Sequence, residues 1–166
     1  MTKILLALVM ALTFIGCSSK GEDLSNITPK LIVGNTLTLK LNDQFEKSQT
    51  LNANTNKIIF AFAKDSAHIC NDFFDTKKPT YLADNNTQFV ADVSAAPSLI
   101  RSMFILPGLK DFKHTVLLLD DKAIAAPYRK DMDTEKIVLV SISNGKVLSI
   151  TTLNSQKELQ EAIEAK

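Results

Sequence analysis

The spacing of apolar and polar side chains changes period several times along the chain, and each change marks an element. An apolar run from Ile4 to Ile15, broken only by Thr13, comes directly after Met1-Thr2-Lys3. Residues 18–30 are polar and aperiodic, as a tether would be. From Asn35 to Leu41 the pattern alternates through Leu37, Leu39 and Leu41, which predicts a strand with one apolar face. Asn42-Asp43-Gln44 supplies a turn and Gln49-Thr50-Leu51 a short returning strand. Lys57-Ile58-Ile59-Phe60-Ala61-Phe62-Ala63 is continuously apolar after its first residue, as in a strand buried on both faces.

The period then becomes helical. Asp65 or Ser66 can cap a helix that presents Ile69, Cys70, Phe73 and Phe74 on one side. Gln88 to Val93 is a strand. Ala95-Ala96-Pro97 opens a helix whose apolar stripe is Leu99, Ile100, Met103 and Phe104, and Pro107-Gly108 is expected to stop it. Thr115 to Leu119 is a third central strand, ended by Asp120-Asp121. Lys136 to Ser143 and Lys146 to Thr152 are joined by Asn144-Gly145, the strongest short hairpin signal, because both residues tolerate positive φ. Ser155-Gln156-Lys157-Glu158 is a capping box opening a last helix that buries Leu159, Ala162 and Ile163. Alternating strands and helices closed by a hairpin imply a largely parallel sheet with an antiparallel edge.

The leading apolar run is too short to span a bilayer, which needs about 20 residues. One positive charge, a short apolar core and a small residue at its end make a secretory signal over residues 1–16. Phe14-Ile15-Gly16-Cys17 resembles the lipobox of bacterial lipoproteins, with Phe14 where Leu is commonest and Ile15 where a small residue is. The resemblance implies that Cys17 becomes the first residue and carries acyl chains, and that residues 17–32 tether a domain of residues 33–166. Ser18 stands where an inner-membrane retention signal would be Asp, so the expected place is the periplasmic face of the outer membrane.

Charge and cysteine content narrow the chemistry. Loss of Lys3 with the leader leaves 18 basic residues against 18 acidic ones. With no charge run or basic patch, nucleic acid is not an expected partner. Cys17 and Cys70 are the only cysteines, so a lipid on the first leaves no internal disulfide, and no CxxC pair exists. One thiol and two scattered histidines, His68 and His114, make no metal-ligand cluster. No Gly-rich phosphate loop calls for a nucleotide or flavin, and no cofactor is expected.

The order of elements is similar to that of the thioredoxin-like superfamily, in its peroxiredoxin and TlpA-type branch. Leu39-Lys40-Leu41-Asn42-Asp43-Gln44 through Gln49-Thr50-Leu51 matches the leading hairpin, and Lys57 to Ala63 matches the buried strand that delivers the active-site loop. Val116-Leu117-Leu118-Leu119-Asp120-Asp121 matches a later strand, and Lys136 to Ala165 matches the closing hairpin and helix. The resemblance implies a three-layer α/β/α domain with a central mixed sheet and an N-terminal β-hairpin. Its redox residues do not carry over. Where redox members place CxxC, this chain reads Lys64-Asp65-Ser66-Ala67-His68-Ile69-Cys70, and Asp133-Thr134-Glu135 contains no proline to face that motif.

Two functions are compatible with this pattern. In the first, a redox-inactive domain acts as a binding or accessory module for a periplasmic protein or small molecule. Its binding loop is Lys64, Asp65, Ser66, Ala67 and His68, together with the turn before Lys136. In the second, the protein is a single-cysteine thiol oxidoreductase or peroxidase using Cys70 with His68. Cys70 shares a stripe with Ile69, Phe73 and Phe74, which favours a buried thiol, and side chains two apart on a helix diverge. His114 reads as an exposed residue leading into a strand. Met103-Phe104-Ile105-Leu106 is either core or an exposed docking patch, core packing being the ordinary outcome.

Overall fold

A computed structural model of the protein describes residues 26–165, so the leader and Cys17 lie outside the described residues. Strands β1 (Lys40–Asp43) and β2 (Ser48–Thr50) form the first hairpin. In the middle, β3 (Lys57–Ala61), β4 (Thr87–Asp92) and β5 (Leu117–Leu119) run parallel. The far edge is the antiparallel pair β6 (Ile137–Ser143) and β7 (Lys146–Leu153). One seven-stranded sheet results, in the order β2-β1-β5-β4-β3-β6-β7. Asn144 and Gly145 both take positive φ, at 50° and 76°, as the tight turn requires.

Strand β3 is the centre of the packing. Ile58, Ile59 and Phe60 are all 0% exposed, and because side chains alternate along a strand they serve two separate cores. Ile59 and Ala61 pack with α1 (Lys64–Asp75), α2 (Tyr81–Asp84) and α6 (Gln156–Glu164) through Phe73, Phe74, Leu82, Leu159 and Ile163. Ile58 and Phe60 pack with α5 (Lys122–Arg129) through Ala125 and Tyr128, and with Leu31, Leu37 and Leu39. The result is the expected α/β/α layering around a mixed sheet.

Several local expectations are corrected. Leu37, Leu39 and Leu41 do share one buried face, but the ladder begins only at Lys40. Before it, the Leu37 N–H donates to the Gly145 carbonyl at 2.8 Å, so the extended chain crosses the sheet's face from the β6–β7 hairpin to β1. Leu31, 3% exposed, is packed into the core as well. Asn42 and Asp43 belong to β1, not to the turn. Gln44 is 1% exposed and mimics a strand residue: its side chain donates to the His114 carbonyl at 2.8 Å and accepts from the Val116 N–H at 2.9 Å.

Asp121, expected as a turn residue, caps α5 by accepting from the Ala123 and Ile124 N–H groups at 2.8 and 3.1 Å. This helix, with Pro127 inside it, is not legible as one in the sequence. The expected stop at Pro107-Gly108 is also absent. Helix α3 (Ser98–Ile100) passes into a π-helical turn, Arg101–Ile105, and continues as α4 (Leu106–Lys110). The Leu106 N–H bonds five residues back, to the Arg101 carbonyl. Widening the ladder there accommodates Pro107, which lacks an N–H and would crowd a regular helix. The same turn leaves the predicted stripe outside: Leu99, Ile100, Met103 and Phe104 are 65%, 44%, 58% and 64% exposed.

Candidate functional site

The carboxyl ends of β3 and β4 open into a cavity of about 530 Å³ between the first half of α1 and the α3–α4 segment. It exists because the residues that meet there are small. Ala67 on α1, Ala91 on β4, Ala95, Ala96 and Gly108 surround space that larger side chains would fill. The walls are otherwise Phe62, Val93, Ile105, Leu109 and Phe112, and the polar groups are Lys64, His68, Asn71 and Asp92. Few polar groups in an apolar concavity is the usual character of a small-molecule site.

The expected binding loop is not a loop. Residues 64–68 form the opening turns of α1, because Ala63 in extended conformation is the cap and the helix starts at Lys64. Ser66 is 1% exposed and turns back on Ala63, accepting from its N–H at 3.3 Å and donating to its carbonyl at 3.0 Å. Lys64, Ala67 and His68 face the cavity, Ser66 is sequestered, and Asp65 points to solvent away from the lining. The turn before Lys136 does not join them. Thr134 and Glu135 line a second hollow of about 690 Å³ on the other side of Phe62 and Ala63.

Between the hollows lies an ion pair that sequence reading missed. Asp92, its side chain 1% exposed, holds one carboxylate oxygen 3.5 Å from Arg129 Nε. The other oxygen accepts from the Ser94 N–H at 2.8 Å. Asp92 ends β4 and Arg129 ends α5, 37 positions apart and in elements whose pairing only the sheet order decides, so no local signal links them.

Cys70 and His68 are not brought together. His68 is exposed at the cavity, whereas Cys70 is 0% exposed on the opposite side of α1, packed with Ile59, Phe73 and Phe74. Burial pushes the Cys70 thiol far above the ordinary range for cysteine, so the thiolate that redox chemistry requires is suppressed.

No protein-family model matches this chain, and no curated protein matches it in sequence. Solved structures do match. The thioredoxin domain of a thiol-disulfide oxidoreductase from Bacteroides vulgatus superposes with a TM-score of 0.52 at 14% identity, over 81% of this chain and 96% of that one. A peroxidoxin from Mycobacterium tuberculosis gives a TM-score of 0.51 at 15% identity, over 79% and 93% of the two chains. The exposed lipoprotein thioredoxin of Streptococcus pneumoniae gives 0.52 at 12% identity, over 76% and 98%. The fold is thioredoxin-like. At such identities the likeness is one of architecture alone.

Beneath the cavity of this thioredoxin-like domain sits His114, expected at the surface but 3% exposed. It lies against the rings of Phe74 and Phe112, at centroid distances of 5.3 and 5.1 Å. His114 Nε2 is 2.9 Å from Asn71 Oδ1; with a carbonyl oxygen there, the ring nitrogen is the donor. Nδ1 is buried with no hydrogen-bond partner among the described residues, so adding a proton there would create an unpaired buried charge. Burial lowers the His114 pKa to about 4, with Asp75 opposing the shift.

The unfolded chain takes up this proton near pH ~6.5 and the folded one only near pH ~4, so the contribution is complete above the unfolded value and shrinks as pH falls through that window. Between about pH 7 and 5 the protein is expected to lose about 1–2 kcal/mol through this group. Urea unfolding midpoints across that range measure it, and His114→Phe, which fits among the rings but cannot titrate, should show the shallower slope. Equal slopes would remove His114 as the cause.

Proposed function

We propose that this protein is a lipid-anchored component of the bacterial cell envelope, held through Cys17 on the periplasmic face of the outer membrane. In this reading its thioredoxin-like domain is a binding or accessory module that does no thiol chemistry. The observation that carries it is the cavity beside α1, which is apolar and about 530 Å³ in volume, while the one cysteine among the described residues turns away from it. That volume lies within the roughly 300–1,000 Å³ common for small-ligand sites.

The lining suggests the ligand's chemistry. Val93, Ile105, Leu109 and Phe112 suit a hydrocarbon or aromatic body, and Lys64 and His68 suit an acidic group at its end. A small amphiphilic acid meets both. The anchor is supported by the short apolar leader ending in Gly16-Cys17. The lipoprotein thioredoxin of Streptococcus pneumoniae offers an example of this architecture on a lipid anchor.

Three measurements test the parts separately. Replacement of Cys17→Ser should move the protein from the membrane fraction to the soluble one and abolish labelling by radioactive fatty acid; retention on membranes would argue against the lipid. Peroxide and small-disulfide turnover by the mature chain should be indistinguishable from that of Cys70→Ser, and a loss of turnover in the variant would restore the thiol reading.

For the cavity, decanoate serves as the probe. A Cβ on Gly108 meets nothing within 4 Å, so Gly108→Leu adds bulk at the cavity rim starting in open space and favours the helix by up to about 1 kcal/mol. Decanoate should raise the Tm of the natural sequence and leave Gly108→Leu unchanged. Equal shifts in both would place the probe elsewhere.

A further inference from the structure

The α3–α4 segment has two apolar faces and only one of them is used by the fold. Ile105 and Leu109 turn inward to the cavity and the helical layer. Leu99, Ile100, Met103 and Phe104 stand 44–65% exposed within six consecutive residues. They are spaced as one side of a helical turn and form an outward apolar ridge, not a scatter of single exposed residues. From Val93 to Lys110 the chain contains no acidic residue, and its only charges are Arg101 and Lys110. An apolar ridge without acidic groups is compatible with a helix that lies in a lipid interface.

The path of the chain places this ridge within reach of the anchor. The Lys30 N–H donates to the Pro127 carbonyl at 2.8 Å, fixing the end of the tether on α5. Two residues further along α5, Arg129 approaches Asp92 at 3.5 Å. The next residue after Asp92 is Val93, whose carbonyl, with that of Ala96, accepts from Arg101 at 3.5 and 3.4 Å. The tether therefore ends only a few contacts from the base of the ridge. Residues 17–30 extend to no more than about 45 Å at ~3.5 Å per residue, so a bilayer holding Cys17 lies within reach of the ridge.

We propose that the ridge formed by Leu99, Ile100, Met103 and Phe104 docks on the membrane that holds the anchor, laying the α3–α4 segment in the lipid interface. This rests on the reading of Cys17 as the lipid-bearing residue. Docking would set the cavity, walled by the inner face of the same segment, beside the bilayer surface. Insertion of one such ridge is weak by itself, and the anchor makes it effective by keeping the local concentration of membrane high.

The test supplies the tether chemically and so does not depend on processing in the cell. The chain from Cys17 onward, in a Cys70→Ser background, is coupled through Cys17 to maleimide-lipid in vesicles of phosphatidylethanolamine and phosphatidylglycerol. It retains every strand and helix described above. The protein has no tryptophan, so Phe104→Trp is a single reporter free of background. Tethering should shift the emission of the introduced indole to the blue and make it accessible to quenching by brominated lipid. The further change Leu99→Glu/Met103→Glu, at exposed positions, should reduce that quenching roughly tenfold while leaving the Tm unchanged.

Emission from tethered protein identical to that of free protein would overturn docking. A blue shift in free protein that grows with concentration, together with dimers in sedimentation, would instead assign the ridge to a second copy of this chain and overturn it equally. Docking in this assay with Cys17→Ser still on membranes in cells would leave the ridge established and remove the lipid from Cys17. The two readings therefore fail separately.

Discussion

Burial of β3 on both faces is the constraint on which the rest of the structure depends. A strand carrying Ile58, Ile59 and Phe60 with no exposed surface must be flanked by paired strands and covered above and below. Parallel pairing to β4 and antiparallel pairing to β6 satisfy its backbone. One cover is α1 with α6, tied to the sheet through Phe73, Phe74, Leu159 and Ile163. The other is thinner: α5 supplies Ala125 and Tyr128, and the crossing segment supplies Leu31, Leu37 and Leu39. Without that crossing, much of the second face would be wet, which is why the apparent tether is tied down so near its end. Lys30 adds to this by donating to the Tyr128 hydroxyl at 3.3 Å with its ammonium 4.6 Å from the ring centroid.

The same demand explains where Cys70 finishes. In a thioredoxin-like fold the end of β3 delivers the first turn of α1 to the surface. Here that turn offers Lys64, Ala67 and His68, while the next apolar position inward is Cys70, drawn into the core with its neighbours. A thiol on the buried side of an amphipathic helix stabilises by packing, as any small apolar group does. Small residues on the opposite side, Ala67, Ala91 and Gly108, leave the cavity open.

The α3–α4 segment shows a second consequence of backbone geometry. The π turn that admits Pro107 rotates the side chains at its start relative to those at its end. Ile105, Gly108 and Leu109 line the cavity, whereas Leu99, Ile100, Met103 and Phe104 face outward. An apolar sequence long enough for one buried stripe is thereby divided between a wall and a ridge.

The local elements with strong signals were legible from sequence because each is specified by neighbours. The apolar run of β3, the Asn144-Gly145 turn and the Ser155 cap, which accepts from the Glu158 N–H at 3.2 Å, depend on little beyond their own segments. The α/β class came from their order. The tertiary structure alone decided where polar and apolar groups finish when distant segments meet. Asp92 finds Arg129 only because α5 returns to the end of β4, and His114 is buried because Asn71 and three aromatic rings converge on it. Asp121 became a cap once the sheet needed a helix above β5. Leu99, Ile100, Met103 and Phe104 read as one apolar stripe, with core and exposed patch both open for Met103 and Phe104, since periodicity reports that a face is apolar and not whether anything covers it. Covering is a property of the whole packed body, and so is the cavity.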